Sequence, residues 1–295
     1  LSSSPAVFGR SLQLLLAVLA MSTSVIFIKA SSAHPVLIAT LRLTVAALLL
    51  LPLERRDRRR FADALATTAD KNRTWIPGIV LALHFITWNY GAKMTDSAQA
   101  SLIVNLVPVA MPFFLWFLAR EKVNQREIIG TTITIAGVLL ITTHDALAAN
   151  GSFVGNIVCL ISMLLFAGYL ALGRRHRHLP SLWLYVVPVY RVAAMTCALF
   201  SLPLIFTGMD WDSPREWTLI IALAVIPTII GHSFLNGAMR HFRGQVVSLT
   251  NCSQFVAAGT LAWLIFGEAP TIIFYAASLI VVAGIATVIF APRKT

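Results

Sequence analysis

The chain has 295 residues, of which 58% are hydrophobic and only 12% charged, with 23 basic against 12 acidic side chains and a net charge of +11. A soluble domain carries roughly 25% charged residues, so this composition argues against an ordinary soluble fold. The positive charge would suggest a nucleic-acid partner if it were spread over an exposed face, but apart from Arg42 and Arg191 it lies in connectors, at the ends of apolar runs or near the termini, and we expect no nucleic-acid binding.

A membrane-spanning helix needs about 20 mostly apolar residues. Ten such runs are read, at roughly 12–30, 35–53, 75–93, 97–118, 125–143, 153–173, 182–207, 217–238, 244–266 and 271–290, by the same criterion. The longest connector, Glu54 to Thr74, is about 20 residues and leaves no room for a soluble domain. The first run carries Ser22, Thr23 and Ser24 and ends at Lys29. Arg10 ahead of it could belong to a signal peptide, but nine further runs speak against that reading. The second run starts at Pro35, stops at Pro52 before an arginine cluster, and holds Arg42 in its apolar part. A charge at membrane depth is costly unless it faces a polar interior.

The third run, "LALHFITWNYGAK" (81–93), places His84 and Trp88 four apart, with Asn89 and Tyr90 beside them. In the fourth run Ser97, Ser101, Asn105, Pro108 and Pro112 recur at spacings of three or four, which is one helical face. Pro108 and Pro112 should bend this helix near its polar stripe, as a hinge or as a static kink. The fifth run has Gly130, Thr134 and Gly137, and the tenth Ala277, Gly284 and Thr287; small residues at such spacings favour close helix packing. We expect both to be peripheral, at a repeat–repeat contact or a homodimer contact. The sixth run offers Ser162, Phe166 and Tyr169, the seventh Arg191, the eighth His232 and Asn236, and the ninth Ser248, Asn251, Cys252 and Gln254. Trp75, Trp211 and Trp217 suit the membrane interface.

With a cytoplasmic N-terminus, eighteen of the 23 basic residues fall on the cytoplasmic side, and only Lys29, Lys93 and Arg215 on the other. That segregation predicts both termini in the cytoplasm. Cys159, Cys197 and Cys252 lie inside spans and form neither a disulfide framework nor a metal-ligand spacing. His176 and His178 fall in a basic connector, so no metal or other cofactor is expected.

Two segments, "REKVNQREIIGTTITIAG" (120–137) and "GEAPTIIFYAASLIVVAG" (267–284), align without a gap at an offset of 147 residues. The same offset pairs Asn89 with Asn236, Lys93 with Arg240 and Ser101 with Ser248. The chain therefore divides into residues 1–148 and 149–295, each with five spans. Five is odd, so the second half enters the membrane from the opposite side, an arrangement common among secondary transporters. The expected fold class is an all-α membrane protein: ten helices as two five-helix inverted-topology repeats around a central cavity. Glu121 and Glu268 are expected to serve helix starts, where a negative charge suits the dipole.

"VIFIKASSAHPVLIATLRLTVAALLLLPL" resembles the opening signature of the drug/metabolite transporter superfamily, in its ten-span EamA-type branch of amino-acid and metabolite exporters. The matching residues are Lys29, Pro35, Arg42, Ala46, Ala47 and Leu51-Pro52. "ASLIVNLVPVAMPFFLWFLAREK" is similar to that family's fourth span with its closing Glu121. The Trp-Gly usual in the first span is replaced by Ser22-Thr23-Ser24. The chain looks most like the bacterial branch that exports aromatic amino acids, which implies a bacterial inner-membrane protein and an amino-acid substrate.

Polar residues in spans should face the bundle interior. We expect a cavity lined by Ser22, Ser24, His84, Trp88, Tyr90, Ser101, Asn105, Phe166, Tyr169, His232, Asn236, Ser248, Asn251 and Gln254. The serines could equally stitch helices together, and the histidines could be packing residues. Arg42 and its counterpart Arg191 would be structural, through carbonyl contacts, or would meet a substrate carboxylate; no acid within a span is seen to pair with either. The lining suits a small neutral or zwitterionic molecule, moved by alternating access. A cation/drug–proton antiporter is the alternative, although all twelve acidic residues fall in connectors or at span ends. Nothing has the pattern of an enzyme's nucleophile. With only His84 and His232 able to titrate near neutral pH within the cavity, a facilitator without obligatory proton exchange is expected.

Overall fold

The computed structural model describes residues 5–63, 74–95, 97–148, 153–267, 269 and 271–289, and among them every regular element is helical. The first span is two helices, α1 (Pro5–Ser22) and α2 (Ser24–Ala30). The hydroxyls of Ser22 and Thr23 donate to the carbonyls of Leu19 (2.7 Å) and Ala20 (2.8 Å). Such back-bonding loosens the helical ladder, so the polar triplet itself makes the break. α3 (Pro35–Arg60) opens with Pro35 in its first turn and His34 as cap, Nδ1 accepting from the Val36 N–H at 3.3 Å. It does not stop at Pro52 as the sequence suggested. It continues because its last turns are held from outside: Glu54 accepts from Arg191 and Asp57 from Ser181.

α4 (Trp75–Met94) is unbroken. The fourth apolar run is α5 (Ser97–Val104) and α6 (Val107–Ala119), interrupted at Asn105-Leu106. Pro108 sits in the first turn of α6, where its missing N–H costs nothing, and Pro112 lies inside α6. α7 (Gln125–Ala148) starts with a reciprocal box: Asn124 N–H donates to Glu127 (2.8 Å) and Glu127 N–H to the Asn124 side chain (3.0 Å). α8 (Phe153–Arg175) and α9 (Trp183–Ser201) follow, α9 passing into a 3₁₀ turn at Leu202–Leu204. The eighth apolar run is α10 (Pro214–Leu223), a π-helical stretch (Ala224–His232) containing Pro227, and α11 (Ser233–His241). α12 (Gly244–Cys252), α13 (Gln254–Phe266) and α14 (Ile272–Ile289) complete the described helices.

Element boundaries recur at the offset found in the sequence. The starts of α5 and α12, of α6 and α13, and of α7 and α14 are each 147 residues apart. The break before α13 contains no proline, so Pro108 alone does not cause the matching break before α6.

α7 and α14 pack directly on each other. A side chain at Gly137 would stand 3.0 Å from the Ala277 carbonyl, and one at Gly130 would stand 2.7 Å from the Gly284 carbonyl. The small residues therefore serve a contact within the chain. Among the described residues, six helical stretches are long and apolar enough to cross a membrane: Phe8–Ala30, Pro35–Arg60, Ala100–Ala119, Phe153–Arg175, Trp183–Leu204 and Pro214–His241. A shorter apolar helix spans Ile272–Val288. Phe113, Phe117, Leu199 and Leu264 point outward, while polar Ser162, Asn89, Asn251 and Arg42 are fully buried. Apolar outside and polar inside is the pattern of a bundle in lipid.

Candidate functional site

Two adjoining clefts lie at the bundle centre. One is lined by Met21, Ser24, His84, Trp88, Val104, Phe166, Pro227, His232 and Gln254. The other is lined by Met21, Ser22, Val25, Trp88, Ser101, Val104, Asn105, Gln254 and Ala258. Trp88 and Gln254 border both, so the two form one continuous region between α1, α2, α4, α5, α8, α13 and the π-helical stretch.

The break between α1 and α2 places Ser24 as a junction. Its oxygen accepts from Trp88 Nε1 at 3.2 Å and from Arg42 Nη1 at 3.4 Å. His84 is held by Ser162, its Nδ1 lying 3.0 Å from the carbonyl and 2.9 Å from the hydroxyl. Its ring stacks on Phe166 at 4.7 Å between centroids, and the His232 ring meets Phe166 at 5.4 Å. At the other end, Asn105 donates through Nδ2 to the Ser101 carbonyl (2.7 Å). Its Oδ1 accepts from Gln254 Nε2 (2.9 Å) and Asn251 Nδ2 (3.4 Å).

Ser22, Ser24, His84, Trp88, Ser101, Asn105, Phe166, His232 and Gln254 thus border the clefts. Others expected there stand behind or away. Tyr169 and Asn236 form a buried pair, Asn236 Nδ2 donating to the phenol at 2.7 Å, with Tyr169 in ring contact with His232. Ser248 donates to the Gln245 carbonyl, and Asn251 reaches the clefts only through Asn105. Tyr90 meets His34, hydroxyl to Nε2 at 3.3 Å, outside the cleft walls. Pro108 contributes a carbonyl, accepting from Gln245 Nε2 at 3.0 Å.

The two arginines differ. Arg191 is half exposed and pairs with Glu54 at 3.0 Å. This corrects the expectation that no acid within a span meets it; Glu54 looked like a connector residue only because Pro52 looked like a helix end. Arg42 is fully buried and meets no carboxylate among the described residues. Its Nε donates to Thr228 Oγ1 at 3.0 Å and its guanidinium lies 4.3 Å over the Phe85 ring. Nη2 has no hydrogen-bond partner. Thr228 was not anticipated. Its hydroxyl donates five residues back to the Leu223 carbonyl at 2.7 Å, an offset that belongs to the π turn and leaves no sequence signal.

Charged groups close the bundle ends. Glu121 accepts from Arg174 (2.7 Å) and from the Gly244 N–H (2.9 Å), so it serves the start of α12 rather than of α7. Glu127 holds Arg243, which raises the guanidinium's already high pKa. Opposite, Glu216 accepts from the Ser31 hydroxyl (2.5 Å) and the Ser32 N–H (2.9 Å), and Lys93 donates to the carbonyls of Ser31 and Ala33.

The model of the EamA-like transporter family matches this chain twice, over residues 11–143 and 153–290. The chain is 26% identical over 219 residues to the pseudopaline exporter CntI of Pseudomonas aeruginosa, covering 72% of each protein. It is 24% identical over 279 residues to an uncharacterized transporter of Archaeoglobus fulgidus, covering 94% of this chain and 95% of that one. A solved crystal structure shares the fold with a TM-score of 0.73 at 20% identity, over 97% of this chain and 98% of the other.

Proposed function

The chain belongs to the EamA-like transporter family and is a multi-pass membrane transporter, and from that premise we propose that it exports aromatic and other bulky amino acids. The observation that carries the reading is the make-up of the central region. Trp88, Phe166 and the two imidazoles present flat faces, and Ser24, Ser101, Asn105 and Gln254 present neutral polar groups. None of the lining residues, among those described, is acidic. Aromatic pairing adds about 0.5–1.5 kcal/mol beyond burial, which favours Phe or Trp over Ala without excluding other side chains. The absence of a lining carboxylate disfavours a cation–proton antiporter, which needs a group to hold the cation and exchange the proton.

Ten spans in two oppositely oriented halves, 1–148 and 149–295, are part of the same reading. The double family match and the 147-residue recurrence of helix ends support it. Two such halves rocking about the central region would alternate its access between the membrane's two sides. The placement is the bacterial inner membrane with both termini cytoplasmic, supported by the segregation of basic residues. Transport runs down the substrate gradient without obligatory proton exchange. The test is counterflow of labelled amino acids in proteoliposomes without a pH gradient. Saturable flux of Phe, Trp and Tyr is expected; flux no faster than through empty liposomes would falsify the assignment.

A further inference from the structure

Arg42 and Asn251 are both buried at the central region, and each has an atom with nothing to bind. Arg42 Nη2 is a donor without an acceptor, and Asn251 Oδ1 is an acceptor without a donor. Neither lack is corrected by turning a side chain. Arg42 is fixed on three sides by Thr228, Ser24 and the Phe85 ring. Asn105 spends its amide N–H on the Ser101 carbonyl, so only its oxygen faces Asn251 and Gln254. Both of those amides must therefore turn their NH₂ groups toward Asn105, which leaves their oxygens pointing elsewhere.

The arginine's charge is likewise unbalanced. The buried acids of the described residues are engaged elsewhere: Glu54 with Arg191 and Arg58, Asp57 with Ser181 and Arg56, Glu127 with Arg243, and Glu216 with Ser31 and Ser32. A buried cation with only neutral partners is costly to keep, and a bidentate carboxylate is the ligand whose geometry fits a guanidinium best.

Both groups stand one residue behind the same region. Ser24, the partner of Arg42, borders one cleft, and Asn105, the partner of Asn251, borders the other; Trp88 and Gln254 border both. We propose that the central region binds its substrate as a zwitterion. The carboxylate docks on Arg42 beside Ser24, the ammonium on the amide cluster Asn105–Asn251–Gln254, and the side chain lies against Trp88 and Phe166. The proposal rests on the central region being the transport site. A carboxylate entering beside Ser24 takes the unpartnered Nη2 together with Nη1, whose bond to Ser24 is long at 3.4 Å. That exchange releases Ser24 from Arg42 and leaves it to Trp88 Nε1. Substrates without a carboxylate leave the buried charge unanswered and are rejected.

The test is inhibition of labelled phenylalanine counterflow in proteoliposomes by phenylalanine, phenylalaninamide, phenethylamine and 3-phenylpropanoate. It is paired with ligand-induced shifts in melting temperature of the purified protein. In the unmodified protein, phenylalanine should act at least tenfold more tightly than its amide or phenethylamine, with 3-phenylpropanoate between. In Arg42→Gln the preference for phenylalanine over its amide should collapse towards onefold, and in Arg42→Lys it should be partly kept. Equal potency of amide and acid in the unmodified protein, or an unchanged preference in Arg42→Gln, overturns the proposal. If Arg42→Gln does not yield folded protein, the unmodified protein's preference decides alone. If phenylalanine is not moved but other carboxylates shift the melting temperature in an Arg42-dependent way, the amino-acid reading falls and the carboxylate anchor stands. If no carboxylate binds, both fall.

Discussion

Arg120 and Gly267, 147 residues apart, end their helices in the same left-handed conformation, with φ of 55° and 72°. The geometry recurs at the 147-residue offset, but only Gly267 adopts it without strain. For a side chain other than Gly this conformation costs about 1 kcal/mol. Arg120→Gly should therefore stabilise the protein by roughly 0.5–1 kcal/mol. Gly267→Ala should destabilise it by about 1 kcal/mol, from backbone conformation alone, since no atom lies within 4 Å of the added carbon. Thermal unfolding in detergent measures both, and equal effects of the same sign would contradict the account.

Glu121 gathers three elements at one end of the bundle: it ends the α6 turn, pairs with Arg174 of α8 and accepts from the first N–H of α12. Arg174 and Glu121 are 9% and 11% exposed, so removing the acid strands a largely desolvated cation. Glu121→Ala should cost about 3 kcal/mol. The more exposed Arg177, 3.7 Å from the same carboxylate, should cost under about 1 kcal/mol when truncated. Melting temperatures of the two variants should separate clearly.

His34 caps α3 through Nδ1, which requires an unprotonated ring nitrogen. Burial, and then the Lys93 charge, hold its pKa below the ordinary 6.5. A His that stays neutral when folded contributes stability above its unfolded pKa. That contribution, on the order of 1 kcal/mol for a cap, is lost as pH falls through the lowered folded value. His34→Asn keeps a capping oxygen and should flatten this part of the stability profile below pH 6.5. An unchanged acid slope in the variant would assign it to other groups.

Trp88→Phe keeps an aromatic face but removes the N–H that holds Ser24. It should spare phenylalanine transport more than Trp88→Ala does, and both variants should reduce transport of Phe and Trp more than that of Thr. Initial rates in proteoliposomes at matched protein levels measure this; a uniform loss across substrates would mark Trp88 as merely structural.

The orientation can be checked at two exposed loop positions, Asp212 and His178. A cysteine at 212 should react with an impermeant maleimide from outside intact cells, and one at 178 only after lysis. Gly208 is a poor reporter site, because a side chain there would collide with Leu37 and the Leu204 carbonyl.

Much of the central region was legible because intramembrane polarity has few innocent uses. Ser101 and Asn105 of the polar stripe, and Ser22 and Ser24, pointed to cleft walls, whereas the helix break at Thr23 was not anticipated. What escaped was decided by partners distant in sequence. Tyr90 sits one residue from Asn89 and two from Trp88, yet His34 draws it away from the clefts. Glu54 was hidden by a proline that α3 simply absorbs. Thr228 became the partner of Arg42 only through a local change of helical pitch that no periodicity announces.

The close approach of α7 and α14 has a consequence for biosynthesis. Gly130 and Thr134 are translated long before Gly284, the residue their surfaces are shaped to meet. Until α14 is made, the notched face of α7 lacks the helix it packs on. A nascent chain halted before residue 272 would therefore hold α7 without that partner, and the eighteen residues of α14 are the stave that closes the bundle last.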